Sequence, residues 1–240
     1  MDIVYPYSLS YNLDSYTKKV VDQHHSNSRA FELFLSCLEY AQRFYSITII
    51  TDELSYPKLK NLPYNVKIDY PKELIYVDDY KLYAIKKYPN SIIIDPDVVL
   101  YKKLNIKEGY DVYVDYNYLN YENGLDVMLE SIQDYKDNNY PIDIFNINNV
   151  PNLGFLYFSN KKMQKDYIYE YNKIREWSIK NLNYKVLHST IIGQYCLGWL
   201  SENKGYNIGY LKEMNNRYNH FAGAQKYSEK FKVPKLNSLL

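Results

Sequence analysis

Strand-like and helix-like segments alternate through the first half of the sequence, and this alternation constrains the fold more than any other feature. The stretch SITIITDE, residues 46–53, has the apolar and β-branched composition of a buried strand. Before it, residues 26–45 begin with capping residue types and carry apolar side chains at helical spacing. Strands separated by helices predict βαβ units and a mostly parallel sheet. We therefore predict an α/β fold in which helices flank a mostly parallel central sheet.

Other segments extend the pattern along the chain. In the first half, the sequence predicts strands at 2–7, 64–71, 91–94, 98–100 and 109–117 and a helix at 74–89 that Pro89 ends. In the second half, it predicts a strand at 149–160, helices near 160–180 and 189–203, and a loop-like tail at 204–240. The sequence contains no internal repeat and no linker, so we expect residues 1–240 to form a single domain.

The segment 116–149 interrupts the alternation. It is polar and rich in Tyr and Asn, with at most one short helix near 125–135. A stretch of this length without regular structure is often a binding loop or a lid. We expect it to be too polar to form a core layer and to cover a binding site.

Composition and charge argue against several classes of protein. With 46% hydrophobic and 24% charged residues, the 240-residue chain is typical of a globular protein. Its 29 Lys and Arg residues nearly balance 28 Asp and Glu residues, so no global field favours nucleic acid or an acidic membrane. No signal peptide is visible, and no window approaches the roughly 18 apolar residues of a membrane span. We expect a cytoplasmic protein without a transmembrane segment that binds no nucleic acid.

Two acids bracket a proline between two apolar runs in SIIIDPDVVL, residues 91–100. Functional groups gather beyond the carboxyl ends of parallel strands, and Asp95 and Asp97 follow such a strand. Two carboxylates this close repel each other unless a cation neutralises them. Carboxylate oxygens suit Mg²⁺ or Mn²⁺, which in turn suits a phosphate-bearing ligand. The alternative is a solvated turn in which Pro96 fixes φ.

A second polar group lies in HFAGAQK, residues 220–226, as H-x-x-G-x-x-K. The neutral imidazole of His220 can complete a metal site with two carboxylates. Gly223 lets the backbone approach a phosphate closely, and Lys226 supplies a positive charge beside it. The alternative is a surface turn with a solvated histidine and lysine.

Three stretches together resemble a known family. SIIIDPDVVL, PNLGFLYFSN and HFAGAQK are similar to the D-x-D, N-x-G and H-x-x-G-x-x-K motifs of GT-A fold glycosyltransferases. The resemblance is greatest to family 8, the glycogenin and bacterial lipopolysaccharide galactosyltransferase group. It implies a GT-A-like fold with a D-x-D metal site, a nucleotide-sugar donor (usually a UDP-sugar), Mn²⁺ or Mg²⁺, and a glycan or other hydroxyl acceptor. It also implies a nucleotide-binding half, 1–115, and an acceptor half, 116–240, that carries the C-terminal metal and phosphate motif.

The resemblance implies a role for each motif residue. Asp95, Asp97 and His220 would hold the metal ion, and Asp97 would thereby take part in catalysis. Gly223 and Lys226 would bind the diphosphate.

Four further residues resemble functional positions of the family. Asn152 would lie beside the donor sugar or the acceptor. Asp115 resembles an acid near the sugar and the acceptor, and Gln194 resembles the glutamine of an Asp-Gln pair near the anomeric carbon. Lys81 resembles a lysine often found in the helix before the D-x-D strand.

The sequence departs from the family pattern in three places, and one of them is that Tyr227 and Ser228 follow Lys226 instead of the family's Pro-Trp. The first strand of the family usually ends in an acid that contacts the nucleotide, whereas this chain offers Tyr5 and Tyr7. We expect these two tyrosines to contribute to nucleotide binding. Gly193 stands where the family has the acid of the Asp-Gln pair.

We expect an enzyme that transfers a sugar, with a hexose as the favoured group. The resemblance favours retention, whereas an inverting enzyme would need a base such as Asp115, Glu122 or Asp143. The alternatives are a nucleotidyltransferase of related architecture and a non-catalytic nucleotide-sugar-binding protein. The first should carry a phosphate loop rich in glycine and basic residues, which YPYSLSYNLDSY lacks, and the intact motif acids and histidine count against the second.

Overall fold

Strands and helices alternate along the chain as the sequence predicts. The computed structural model describes residues 1–7, 28–69, 78–117, 126–141, 143–183, 186–214, 217–221 and 232–234. The strands in these ranges are β1 (Asp2–Tyr7), β2 (Ser46–Thr51), β3 (Asn65–Ile68), β4 (Ile92–Ile94), β5 (Val98–Leu100), β6 (Val112–Val114), β7 (Phe155–Phe158), β8 (Ile208–Tyr210) and β9 (Tyr218–His220). The helices are α1 (Ser28–Ala41), α2 (Tyr56–Leu59), α3 (Asp79–Lys87), α4 (Asp126–Asp137), α5 (Lys161–Asn181) and α6 (Val186–Lys204).

Seven of these strands form one sheet, in the order β3-β2-β1-β4-β7-β6-β8. Neighbouring strands are parallel except at β7, which is antiparallel to both β4 and β6. The predicted α/β fold with a mostly parallel central sheet is therefore confirmed. The strands β5 and β9 form a second, two-stranded antiparallel sheet.

The central sheet is buried on both faces. In β4, Ile93 faces a core that includes side chains of α3, α5 and α6, whereas Ile92 and Ile94 face a core that includes α1 and β5. A strand covered on both faces needs apolar residues at every position. This explains why β4 is an uninterrupted apolar run and does not alternate with polar residues.

The carboxyl ends of the parallel strands meet at one edge of the sheet, and an aspartate directly follows four of the described strands. These are Asp52 after β2, Asp69 after β3, Asp95 after β4 and Asp115 after β6. Because β7 runs in the opposite direction, its amino end, which Gly154 precedes, reaches the same edge. Ligands of open α/β sheets bind at this edge.

Two expectations from the sequence are wrong. The tail 204–240 is not loop-like throughout, because β8 pairs with β6 and β9 pairs with β5. These strands have three residues each, so distant partners decide their structure and a local pattern does not reveal them. The segment 116–149 forms the short helix that the sequence suggests, α4, but it also contributes to the core, because this helix buries Ile132 and Tyr135. Residues 118–125 and 142 of this segment lie outside the described residues.

Helix composition bears on the predicted absence of a membrane span. Among the described helices, none combines the length with the apolar character that crossing a membrane requires. The 21-residue helix α5 carries lysines from its first turn to its last. The cytoplasmic location and the division into domains stay predictions.

Candidate functional site

The two acids of the D-x-D motif lie on a tight turn between β4 and β5. The backbone N–H of Asp95 donates to the carbonyl of Gly154 at 2.8 Å, which ties this end of β4 to β7. The N–H of Val98 donates to the carbonyl of Asp95 at 3.2 Å and closes the turn around Pro96. The strand, turn and strand of the sequence interpretation are therefore present.

His220 reaches this turn through the pairing of β5 with β9. Val98 lies opposite His220 in the antiparallel register, and the N–H of Phe221 donates to the carbonyl of Asp97 at 3.0 Å. One ligand atom from each of Asp95, Asp97 and His220 lies within 4.8 Å of the other two. Three side chains from distant parts of the sequence therefore converge on one point. Two carboxylates and an imidazole form a donor set that fits Mn²⁺.

Lys81, on α3, is the cation next to the D-x-D motif. Its Nζ lies 2.9 Å from both carboxylate oxygens of Asp95 and 3.8 Å from Oδ1 of Asp78. Burial disfavours its charge, but Asp95 and Asp78 more than offset this effect and raise the pKa of Lys81. Lys81 therefore stays charged and balances part of the negative charge here. Its role in nucleotide-sugar binding stays a prediction.

Among the described residues of this cluster, carboxylates outnumber the cations, and the pKa shifts reflect this. Burial raises the pKa of Asp78 to about 6 although Lys81 opposes the shift. Burial raises the pKa of Asp95; Lys81 opposes this effect, and Asp97 adds to it. For His220, burial disfavours the charge, but Asp97 and Asp115 raise its pKa to about 10. A divalent cation in contact with these carboxylates would supply the missing positive charge.

Asp115, directly after β6, lies behind the imidazole of His220. Its Oδ2 accepts a hydrogen bond from Nδ1 of His220 at 2.5 Å, and its Oδ1 accepts one from the hydroxyl of Tyr218. The residue has no exposed surface. The resemblance implies an acid near the sugar and the acceptor, and this role for Asp115 stays a prediction. The contact that the structure shows is with a candidate metal ligand.

Asn152 and Gly154 line the same edge from the amino end of β7. The side chain of Asn152 accepts from the N–H of Gly154 at 2.7 Å and donates to the hydroxyl of Tyr116 at 3.3 Å. A Cβ at Gly154 would lie 2.3 Å from Cε1 and 2.6 Å from Nδ1 of His220. Only glycine lets the imidazole lie this close to the strand. Asn152 is thus placed beside the cluster, and its contact with a sugar stays a prediction.

Tyr5 and Tyr7 lie on the face of β1 that packs against α1. Tyr5 is fully buried, and its ring meets Phe34 edge-on at a centroid distance of 5.8 Å. Tyr7 is partly buried and stacks on Phe34 at 4.6 Å. Burial, with a smaller contribution from Asp52, raises the pKa of Tyr7 to about 12. Both rings therefore contribute to packing, and their contact with a nucleotide stays a prediction.

Gln194 is buried on α6 and directly follows Gly193, where the helix lies close to neighbouring side chains. A Cβ at Gly193 would lie 3.3 Å from Oδ2 of Asp78, so this carboxylate stands next to the position where the family has an acid. Within the described residues, Oε1 of Gln194 accepts no hydrogen bond. The predicted catalytic role of Gln194 is compatible with this free acceptor and stays a prediction.

Four further sequence-predicted residues are not placed beside this cluster. Gly223, Lys226 and Glu122 lie outside the described residues. Asp143 is exposed, and its Oδ1 accepts from the N–H groups of Phe145 and Asn146 at 3.2 Å each, which stabilises a turn. These four roles stay predictions.

Sequence reasoning missed three residues of the cluster. Asp78 precedes α3 as an N-cap residue, but its side chain makes no capping hydrogen bond and faces Lys81. Tyr218 lies two residues before His220 on β9, a spacing that puts both side chains on one face of the strand. Gly154 belongs to the N-x-G motif, but its contact with His220 depends on tertiary structure. Only the Tyr218 spacing was visible in the sequence.

Comparison with known proteins gives distant similarities. No protein-family model matches the sequence, and no curated protein matches it. One similar solved structure is "PaToxG Glycosyltransferase", with a TM-score of 0.43 and 10% identity over 84% of this chain and 68% of that chain. Another is the glycosyltransferase GlyE in Streptococcus pneumoniae TIGR4, with a TM-score of 0.47 and 11% identity over 99% of this chain and 59% of that one. At this degree of similarity, neither protein's activity transfers to this chain.

Proposed function

We propose that this protein is a metal-dependent glycosyltransferase that moves a sugar, favoured as a hexose, from a UDP-sugar to a hydroxyl acceptor such as a glycan. The observation that carries the proposal is the convergence of Asp95, Asp97 and His220 within 4.8 Å at the carboxyl edge of the sheet. The negative charge of this cluster repels a diphosphate unless a cation lies between them. A nucleotide diphosphate that brings Mn²⁺ with it therefore fits the site.

The residues of the cluster would have different roles in binding the donor. Asp95, Asp97 and Nε2 of His220 would hold the ion, and Lys81 would keep its contact with Asp95 so that this carboxylate stays ionised. A cation bound there supplies Lewis-acid stabilisation of the charge that develops on the leaving diphosphate. Lys226, by the resemblance, would bind the same diphosphate.

The acceptor side is expected next to Asn152 and Tyr116. The amide of Asn152 and the hydroxyl of Tyr116 offer donors and acceptors to sugar hydroxyls. The ring of Tyr116 lies 6.4 Å from the ring of His220, so it can stack against a sugar near the cluster. Lys212 lies with its Nζ 5.6 Å from the centroid of the Tyr116 ring and adds a cation to this side.

The environment of Asp115, one of the three candidate bases, bears on the stereochemistry. Asp115 has no exposed surface, and both its carboxylate oxygens accept hydrogen bonds from side chains. This arrangement supports retention, in which the leaving phosphate takes the acceptor proton and no protein base is needed on the opposite face.

The experiment is a screen of nucleotide sugars for hydrolysis with Mn²⁺, combined with thermal shift. We expect slow release of UDP from one UDP-sugar and a rise in melting temperature with UDP and Mn²⁺ together, because a ligand of the folded state stabilises it. Release of pyrophosphate from a nucleoside triphosphate and a sugar phosphate would indicate a nucleotidyltransferase instead. A thermal shift without turnover of any donor would indicate a binding protein.

A further inference from the structure

The candidate metal ligand His220 is held from behind by a buried hydrogen-bonded pair. Oδ2 of Asp115 accepts from Nδ1 of His220 at 2.5 Å, and Oδ1 accepts from the hydroxyl of Tyr218. The same Tyr218 hydroxyl lies 3.1 Å from the carbonyl of Asp115. On its other side, Nε2 of His220 lies 3.4 Å from Oδ1 of Asp97. The two nitrogens of the ring therefore face different partners.

We propose that Asp115 is a positioning residue, whose buried carboxylate keeps the proton of the imidazole on Nδ1 and leaves Nε2 of His220 to bind the divalent cation. This inference rests on the proposed function, since it assumes a cation between Asp95, Asp97 and His220. A carboxylate can only accept a hydrogen bond from Nδ1, so Nδ1 must carry a proton. Histidine ligands are commonly oriented in this way by an outer carboxylate, which fixes the tautomer and increases ligand basicity.

Tyr218 and Gly154 complete the support of the ring. Tyr218 occupies the second oxygen of Asp115, so this carboxylate has a fixed orientation. Gly154 leaves room for the imidazole, because a Cβ there would lie 2.3 Å from Cε1 of His220. The ring is thus bounded by a hydrogen bond at one end and by backbone on one face. The ring is therefore held in one rotamer, with Nε2 directed toward Asp95 and Asp97.

A purely structural role for Asp115 is the competing explanation. The contact joins the end of β6 to β9, and it would then matter only for stability. Asp111, at the other end of β6, provides a matched control of that kind. Its carboxylate accepts from Nδ2 of Asn160 at 2.6 Å and from the N–H of Asn207 at 2.8 Å, and it is no part of the cluster.

The test is the affinity for Mn²⁺ alone, measured by electron paramagnetic resonance in wild type, Asp115→Asn and Asp111→Asn. We expect Asp115→Asn to weaken binding by roughly 10- to 100-fold, as for other outer partners of histidine ligands. Asp111→Asn should bind Mn²⁺ as the wild type does even where it lowers the melting temperature. Tyr218→Phe, which keeps the ring and removes one hydrogen bond to Asp115, should give a smaller loss and serves if Asp115→Asn does not fold.

The nitrogen that binds the cation is a second readout. With Zn²⁺ as a diamagnetic probe, ¹⁵N spectra of wild type should show Nδ1 of His220 protonated and Nε2 metal-bound. Metal on Nδ1, or unchanged Mn²⁺ affinity in both Asp115→Asn and Tyr218→Phe, would overturn the inference and leave the proposed function standing. If wild type binds neither ion, alone or with UDP, the metal dependence of the proposed function fails as well.

Discussion

Within the part of the chain that the structure describes, two histidines contact an aspartate, and their surroundings differ. His188, on α6, is fully buried, and its Nε2 lies 3.0 Å from Oδ2 of Asp134 on α4. His220 contacts Asp115 through Nδ1 at 2.5 Å and Asp97 through Nε2 at 3.4 Å. The first pair lies beside the ring of Tyr135, whereas the second lies among several carboxylates at the edge of the sheet.

The neighbours of His188 explain its contact with Asp134. The ring of Tyr135 meets the ring of His188 edge-on at 5.6 Å, and the hydroxyl of Tyr135 is 2.7 Å from that of Ser178. This is a polar contact that joins packed helices. Among the described residues around His220, by contrast, carboxylates outnumber the cations that could balance them. An Asp-His contact is therefore not itself evidence of a site; the excess of carboxylates is.

The largest effect on ligand binding should follow from removing one of the carboxylates around His220. Asp97→Asn is expected to weaken Mn²⁺-dependent UDP binding by more than the roughly 100-fold that loss of an outer partner costs, because a ligand charge is lost. Asp134→Asn should leave this affinity unchanged. Isothermal titration calorimetry with UDP at saturating Mn²⁺ measures both. Equal UDP affinity in wild type and Asp97→Asn would contradict the claim that the carboxylates around His220, unlike Asp134, bind a cation.

The next effect concerns the space around His220. Gly154→Ala should displace the imidazole, which weakens Mn²⁺ binding and, as overpacking, costs about 1–3 kcal/mol of stability. Gly209→Ala is the control, because a Cβ there would lie 2.5 Å from Cε of Met214 and away from the cluster. It should lower stability and spare Mn²⁺ affinity. Similar Mn²⁺ affinities for the two variants would show that the Gly154 contact is unimportant for the site.

A smaller effect, on stability, is expected from removing the aspartate that contacts His188. Asp134→Asn should cost about 1 kcal/mol of stability, since the Asp134 side chain keeps 29% of its surface exposed and solvent screens the pair. Chemical denaturation measures this loss. In the same variant, donor hydrolysis should stay at the wild-type rate. A variant that is as stable as wild type but inactive would place His188 in a functional network.

The smallest effect tests a carboxylate that is surrounded by donors instead of other acids. Asp69, after β3, accepts hydrogen bonds from Tyr83, Lys87 and Tyr88. Burial opposes its ionisation, but these donors outweigh it and hold the pKa of Asp69 below its usual value. A lowered folded-state pKa contributes stability that is present above the unfolded-state pKa and is lost as pH falls through the folded-state pKa.

Asp69→Asn should therefore lose a small amount of stability at neutral pH, and the difference from wild type should shrink in acid. Denaturation curves of both proteins from pH 7 to pH 3 measure it. A difference that grows as the pH falls would contradict the sign. It would also show that the hydrogen-bond donors around Asp69 do not stabilise its ionised form and so do not set it apart from the carboxylates of the cluster.

The sequence predicts those parts of the site that depend on local pattern. Asp95 and Asp97 are recognisable because a buried strand, a proline turn and a second strand are adjacent in the chain. The pairing of β5 with β9, which carries His220 to Asp97, is non-local and follows no local pattern. The contact of Asp115 with His220 likewise depends on tertiary structure, so the family resemblance alone suggests a different neighbour for this acid.

Burial likewise depends on tertiary packing that the sequence does not show. Tyr5 and Tyr7 are two residues apart and so share one face of β1, but only the packed α1 shows that this face is buried. The segment 116–149 is polar overall, and the few apolar residues of α4 are nevertheless sufficient to join the core. Average polarity describes a segment, whereas burial is decided residue by residue.

In the proposed function, Asp95, Asp97 and His220 hold one divalent cation together with the donor diphosphate. The decisive measurement is anomalous diffraction from crystals of the wild-type protein grown with Mn²⁺ and UDP. We expect one anomalous peak at this cluster, in contact with oxygens of Asp95 and Asp97, with Nε2 of His220 and with the diphosphate of UDP. Bound UDP with no peak at this cluster, or with Mn²⁺ held by other side chains, would contradict it.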